Sequence, residues 1–238
     1  MEQINDKENA LAIGARIRMC LSSLNTTERG IAEWLITKGN VTQETSIKEV
    51  ASALSVSEPL IVKVAKKLGY SGFRDLRVSL LAYFQALPFD KEQEIDESDN
   101  VDSVLEKVFS NSIQALKEAQ SVADPAVINE AARLILQARH VAIFGVGGSA
   151  TVGQDFEHKL LRIGIHSHSY NDFHLMLMVA CQLEKDDVVM VVSQSGDTRE
   201  LLQAVQVAKE RGARIVCITN DNASPLSKNA DLSIFSPA

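Results

Sequence analysis

From residue 139 onward the sequence repeats one pattern: a short apolar run, a loop rich in Gly or Ser, then a stretch of helical periodicity. The apolar runs are HVAIFG (140–145), IHSHSY (165–170), DVVMVVS (187–193), RIVCIT (214–219) and LSIF (232–235), with helical stretches at about 149–163, 172–183, 197–211 and near 224–228. Most of these runs are continuously apolar, the mark of strands covered on both faces rather than one. Such alternation predicts an α/β unit: a parallel five-stranded sheet with helices on both faces.

The first 87 residues are of another kind. They show only helical periodicity, and the change of character falls at PFDKEQEIDESDN (88–100), which holds six acidic residues and one lysine and reads as a solvated linker. The expected organisation is therefore an all-α domain over 1–87, an acidic linker over 88–100, and the α/β domain with leading helices over 101–238. Those leading helices are an amphipathic one at 101–120, with Val101, Val104, Leu105 and Val108 on its apolar face, and one opened by Asp124-Pro125.

Net charge argues against nucleic acid only until it is divided. The whole chain carries −7, but residues 1–85 hold 11 Lys and Arg against 9 Asp and Glu, and residues 47–85 hold six against three. The acidity belongs to the C-terminal part, so the N-terminal domain is free to meet a phosphate backbone. Three cysteines, Cys20, Cys181 and Cys217, have long irregular spacings and apolar neighbours and are expected to be buried free thiols in a reducing cytosol. The opening MEQINDKENALAIGA is too polar for a signal peptide, and LMLMVAC (175–181) is far shorter than the ~20 residues of a membrane span. A cytoplasmic location with no membrane partner is the expectation.

Within the all-α domain, Asn25-Thr26-Thr27-Glu28 opens one helix, and SIKEVASALSVSEPLIVKVAKKLG (46–69) has the form of a helix-turn-helix. Its second helix begins at a Ser57 cap and ends at Gly69. Ile61, Ala65 and Leu68 face the core at i, i+4 and i+7, leaving Glu58, Pro59, Val62, Lys63, Lys66 and Lys67 outward. Glu58, Pro59 and Lys63 are placed to approach base edges, Lys66 and Lys67 to meet phosphates, and Tyr70, Arg74 and Arg77 to extend the backbone contact. A small helical bundle with a solvated lysine face would share much of this pattern.

Two loops at the carboxyl ends of predicted strands are chemically loaded: GVGGSATVG (145–153) and SQSGDTRE (193–200). Small residues let backbone N–H groups approach an anion, the helix dipole favours negative charge, and hydroxyls at Ser195 and Thr198 add donors. A phosphate suits the second loop, with Gly147, Gly148 and Ser149 of the first holding sugar hydroxyls or another face of the phosphate. Gly145-x-Gly147-x-x-Ala150, with Asp172 beyond it, also satisfies a loose dinucleotide fingerprint. A pair of plain tight turns is the third reading.

GVGGSA after a first strand and SQSGDT after a third resemble the phosphosugar-binding SIS (sugar isomerase) domain. With KKLGYSGFRDLR in a helix-turn-helix ahead of it, the chain resembles the RpiR family of bacterial transcriptional regulators from about residue 20 to 236. The resemblance implies an operator-DNA partner, a homo-oligomer (dimer or tetramer), no cofactor and no metal. It also implies a sugar-phosphate effector of the ribose 5-phosphate or allose 6-phosphate type, bound through Ser149, Ser193, Gln194, Ser195 and Thr198. Family members usually continue past the fifth strand with a helix-rich tail, whereas this sequence stops at Ser236-Pro237-Ala238.

An SIS fold can also isomerise aldose and ketose phosphates, which needs a base over the sugar C1–C2 hydrogens. Glu157, His158, His166, His168 and His174 are the candidates. His166 and His168 alternate on one strand and could pair on a metal, though no third ligand has suitable spacing. His174 and Asp172 could touch the sugar without catalysis. A tethered helix-turn-helix has no use in a dedicated isomerase, so the expectation is a regulator, a repressor of sugar-catabolism genes, and not an enzyme.

Overall fold

The computed structural model describes residues 12–37, 41–86 and 95–237; most of the predicted linker, up to residue 94, lies outside the described residues. The chain forms two compact units that divide between Val122 and Ala123.

The first unit is helical. Helix α1 covers residues 12–20. It is followed by a 3₁₀ turn (Leu21–Ser23), α2 (Thr26–Thr37), α3 (Ile47–Leu54), α4 (Glu58–Lys67), α5 (Phe73–Ala86) and α6 (Val101–Val122). Ile17, Ile31, Leu35, Ile61, Leu76 and Leu80 are fully buried and make one core. Two of the helix starts carry reciprocal caps. The Glu28 amide donates to Asn25 Oδ1 at 2.9 Å while the Asn25 amide donates to Glu28 Oε2 at 3.1 Å. Ser46 and Glu49 form the same box on α3. Helix α4 ends as predicted at Gly69 (φ +90), where the Gly69 amide reaches Lys66 O at 3.1 Å and the Tyr70 amide reaches Ala65 O at 3.0 Å. Only glycine takes that left-handed turn without cost.

Helix α6 departs from expectation in two respects. It clusters with the helical unit, not with the α/β unit to which the sequence pattern had assigned it. Its apolar positions Val101, Leu105 and Val108 are exposed, and its buried positions are Gln114 and Glu118. The cause is a polar network. Tyr83 Oη donates to Glu118 Oε1 at 2.7 Å, Gln114 Nε2 donates to both groups at 2.7 and 3.0 Å, and the Arg18 guanidinium pairs with the other oxygen of Glu118. Burial, and then the Glu118 charge, push the Tyr83 hydroxyl pKa up. Gly14 allows the Tyr83 ring in, since a Cβ there would sit 2.6 Å from it.

The second unit begins with α7 (Pro125–Gln137), capped by Asp124, whose carboxylate accepts from the Ala126 amide at 2.8 Å. It continues through β1 (Val141–Phe144), α8 (Gly148–Arg162), β2 (Ser167–Tyr170), α9 (Phe173–Ala180), β3 (Val188–Val192), α10 (Arg199–Glu210), β4 (Arg214–Thr219), α11 (Pro225–Asn229) and β5 (Leu232–Phe235). All pairings are parallel and the strand order is β2-β1-β3-β4-β5. Val141, Ile143, Val188, Met190 and Val216 pack with α7 and α8 on one face. Ala142, Phe144, Val189, Val191 and Ile215 pack with α9 and α10 on the other. The predicted two-sided burial of the sheet is thus observed. The cysteines are free, but only Cys217 is buried, where desolvation pushes its thiol up to about 12; Cys20 is half-buried and Cys181, at the exposed end of α9, is on the surface.

Candidate functional site

In the order β2-β1-β3-β4-β5 the chain reverses direction of growth between β1 and β3, so the loops leaving these adjacent strands run to opposite faces of the sheet. A crevice opens there, as it does at switch points of open parallel sheets. It has a volume of about 390 Å³ and is lined by Val146, Gly148, Ser149 and Val152 from the β1 side and by Ser193, Gln194, Ser195 and Thr198 from the β3 side, with Val192 and Leu201 beneath. The two predicted loops therefore meet in one pocket. Gly147 is not in its wall but makes the turn into α8, at φ +57. The apolar wall of Val146, Val152, Val192 and Leu201 escapes sequence reading, because single valines and leucines carry no chemical signal.

Every other helix in this unit has a side-chain cap: Asp124 on α7, Asp172 on α9 and Ser224 on α11. The two that start at the pocket, α8 behind Gly147 and α10 behind Thr198, have none. Their first amides are left for a ligand, and two helix N-termini favour an anion. The β3 loop is held in shape from behind. Ser193 Oγ accepts from the Gly196 amide at 3.2 Å and lies 3.3 Å from Thr198 Oγ1. Gly196 itself sits at φ +64 with no room for a side chain, a Cβ falling 2.2 Å from Ser224 Oγ. Ser193 is buried; Ser195 and Gln194 are exposed.

The residues weighed for catalysis lie elsewhere. Glu157 accepts from the Ser169 amide at 3.0 Å and meets His168 Nδ1 at 2.9 Å, fastening α8 to β2. His166 meets His140 in a tilted ring contact at 5.0 Å between centroids, ahead of the N-terminal ends of β2 and β1, and burial followed by the His166 charge lowers the His140 pKa. Asp172 caps α9 through the Leu175 amide. Glu157, His158, His166, His168, His174 and Asp172 are all absent from the pocket wall. Among the described residues no cluster of three metal-ligating side chains is found, and no helix is long and apolar enough to cross a membrane.

In the helical unit, α3 and α4 are joined by Ser55-Val56-Ser57, with Ser55 left-handed at φ +53. Ile61, Val64, Ala65 and Leu68 are buried, while Glu58, Pro59, Lys63, Lys66, Lys67 and Arg74 are exposed. Pro59, Val62, Lys63, Lys66 and Lys67 line an open concavity of about 520 Å³. One sequence expectation changes here. Ser57 occupies the N-cap position but its side chain makes no capping bond. Tyr70 is half-buried against the core. Arg77 Nη1 donates to Thr45 O at 2.8 Å, tying α5 to the start of α3.

Lys63 and Lys67 both turn back to a buried carboxylate. Lys67 Nζ donates to Glu28 Oε2 at 2.6 Å, and Lys63 Nζ lies 3.0 Å from Oε1 in an ion pair outside hydrogen-bond geometry. Their side chains remain 38% and 59% exposed, so each ammonium has an unburied side. The Lys67 hydrogen bond, then the Asn25 amide and Lys63, hold the Glu28 pKa down at about 2.

A helix-turn-helix followed by a parallel sheet with a Ser/Thr-rich crevice matches known proteins along nearly its whole length. The helix-turn-helix domain of the rpiR family matches residues 11–86 and the SIS domain matches residues 134–238. The HTH-type transcriptional regulator RpiR of Escherichia coli (strain K12) is 43% identical over 234 residues, covering 97% of this chain and 78% of that protein. The chain belongs to the RpiR family. As an RpiR-family protein it is a helix-turn-helix transcriptional regulator with a SIS domain, and not an enzyme. Two solved structures share the fold. The RpiR transcription factor from Sphaerobacter thermophilus (sugar isomerase domain) is 27% identical with a TM-score of 0.54, covering 56% of this chain and 75% of that one. The Vibrio vulnificus NanR protein complexed with ManNAc-6P is 24% identical with a TM-score of 0.56, covering 95% and 80%.

Proposed function

We propose that this RpiR-family regulator is a repressor of sugar-catabolism genes whose operator affinity is set by a sugar phosphate in the crevice between β1 and β3. The observation that carries the reading is the convergence of two uncapped helix N-termini, those of α8 and α10, on a pocket ringed by hydroxyls. The phosphate sits at the uncapped N-terminus of α10 and accepts from the Ser193, Ser195 and Thr198 hydroxyls. Gly148, Ser149 and Gln194 take the sugar hydroxyls, Gly147 making the turn that presents them, and the effector is of the ribose 5-phosphate or allose 6-phosphate type. NanR of the same fold holds a phosphorylated amino sugar, which supports the class of ligand.

Operator DNA meets the exposed face of α4. Glu58, Pro59 and Lys63 approach base edges, and Ser57, Lys66, Lys67, Tyr70 and Arg74 serve phosphates from the remaining exposed or half-buried positions. The protein acts in the cytoplasm as a homo-oligomer, so that two α4 helices read two half-sites. An effector shifts operator affinity only by its differential affinity for two arrangements of that assembly, typically ~1–3 kcal/mol.

Isothermal titration of the full chain with a panel of phosphorylated and unphosphorylated sugars tests the site. The proposal expects binding that requires the phosphate and falls at least about tenfold in Thr198→Ala, the loss of one charge-assisted hydrogen bond. Equal binding of the unphosphorylated sugar would place the ligand elsewhere.

A further inference from the structure

Helix α6 packs on its own unit through the less apolar of its two faces. Toward the helical core it turns Gln114 and Glu118, while Val101, Leu105, Val108, Phe109, Ile113 and Leu116 are 36% to 75% exposed. At about 100° per residue the six occupy a band roughly 140° wide, and at ~1.5 Å per residue the band is about 22 Å long. Six large side chains this exposed present on the order of 600 Å², the upper end of what a monomer leaves in water. That is most of the ~800 Å² per partner buried in a standard interface.

Charge selects the occupant. One edge of the band carries Asp102 and Glu106 in its N-terminal half and Lys117 in its C-terminal half, at roughly 100°, 140° and 160° on the helical wheel. A second copy laid parallel about a two-fold axis would set that edge against the opposite edge of the band, where Val104, Ala115 and Val122 offer these charges no partner. A second copy laid antiparallel, about a two-fold axis near Phe109, sets Asp102 and Glu106 beside Lys117 of the partner subunit and repeats the contact at the other end. Such self-complementarity is what a two-fold interface requires.

We propose that two copies of the chain pair antiparallel through α6, Phe109 meeting Phe109 of the partner subunit. This goes beyond the functional reading above, which needs a homo-oligomer but names no face, and it holds or fails without reference to any effector.

Disulfide trapping of the full chain tests it, in a Cys181→Ser background to remove the exposed thiol. A mixture of Leu105→Cys and Ile113→Cys proteins should cross-link on mild oxidation, while Leu105→Cys alone should not, since antiparallel pairing about Phe109 sets position 105 opposite 113. Adding Phe109→Glu to both partners should reduce the cross-linked fraction at least tenfold. Phe109 is exposed, so the change leaves the unit's core intact, and the first arm decides the matter even if it does not. Self-linking of Leu105→Cys would overturn the antiparallel arrangement. Absence of linking in every mixture would overturn the pairing and assign the band to another occupant, such as the C-terminal unit of the same chain.

Discussion

Lys67 Nζ and Glu28 Oε2 lie 2.6 Å apart, and the carboxylate that Lys67 holds is fully buried at the first turn of α2. One acid thus does two tasks. It closes the capping box with Asn25 and pins α4, the helix that presents the basic face, to α2. Two of the three lysines on that face are structural as well as exposed, and only Lys66 reaches outward without bonding Glu28.

Acid should loosen this joint. The Glu28 carboxyl is held near 2 against an ordinary 4.5, so the unfolded chain takes up its proton first on acidification. The stabilisation it provides is complete above about pH 4.5 and is lost as pH falls toward 2. Thermal melts between pH 6 and 2.5 should show the helical unit's melting point falling more steeply in the parent than in Glu28→Gln, which is less stable at neutral pH. Parallel curves would remove Glu28 from the joint.

Substitutions on α4 should separate by role. Lys66→Ala should weaken binding to all duplexes alike and reduce the salt slope of log K by about one. Lys63→Ala should cost ~1–3 kcal/mol on the preferred site and relax the preference at one base pair. Competition titrations with specific and random duplexes at several salt concentrations read both effects. A Lys63→Ala protein with unchanged sequence preference would remove Lys63 from base reading.

Gly196→Ala should cost at least ~2 kcal/mol by chemical denaturation, because the residue needs φ +64 and its new Cβ would sit 2.2 Å from Ser224 Oγ. The variant should also lose ligand binding, since the loop carrying Ser195 and Thr198 must shift. Ser195→Ala, on an exposed side chain, should leave stability within about 0.5 kcal/mol.

The sheet was legible because its signal is redundant. Each of Val141–Phe144, Val188–Val192 and Arg214–Thr219 is bounded by loop residues, and two-sided burial leaves a continuous apolar run that tolerates few other readings. The pocket's polar side was legible for a related reason: Ser193, Ser195 and Thr198 cluster within six residues, directly after a strand. Helix α6 was not. Reading its face assumed that apolar residues point inward, whereas Arg18, Tyr83, Gln114 and Glu118, separated by up to 100 positions, outbid that preference through a satisfied buried network. Glu28 likewise shows in sequence only as a capping acid. Its ion pairs with Lys63 and Lys67 depend on α4 crossing α2, which no local pattern announces.

The network on Glu118 should be costly to interrupt. Tyr83→Phe removes a donor from a buried carboxylate and should destabilise the helical unit by ~1–3 kcal/mol in urea denaturation, with little change in the m-value. Gly14→Ala, which drives a methyl to within 2.6 Å of the Tyr83 ring, should act in the same direction. A Tyr83→Phe protein as stable as the parent would show that α6 is held by something other than this cluster.

The central claim is that a ligand in the β1/β3 crevice controls DNA affinity. Its most direct test is operator binding by fluorescence anisotropy, with a duplex selected from a random library, measured across a titration of each sugar phosphate that binds the protein. The account predicts at least a fivefold change in operator Kd at saturating effector, absent in the Ser195→Ala/Thr198→Ala protein, which should still bind DNA with parental affinity. An effector that saturates the pocket and leaves operator Kd unchanged would contradict it.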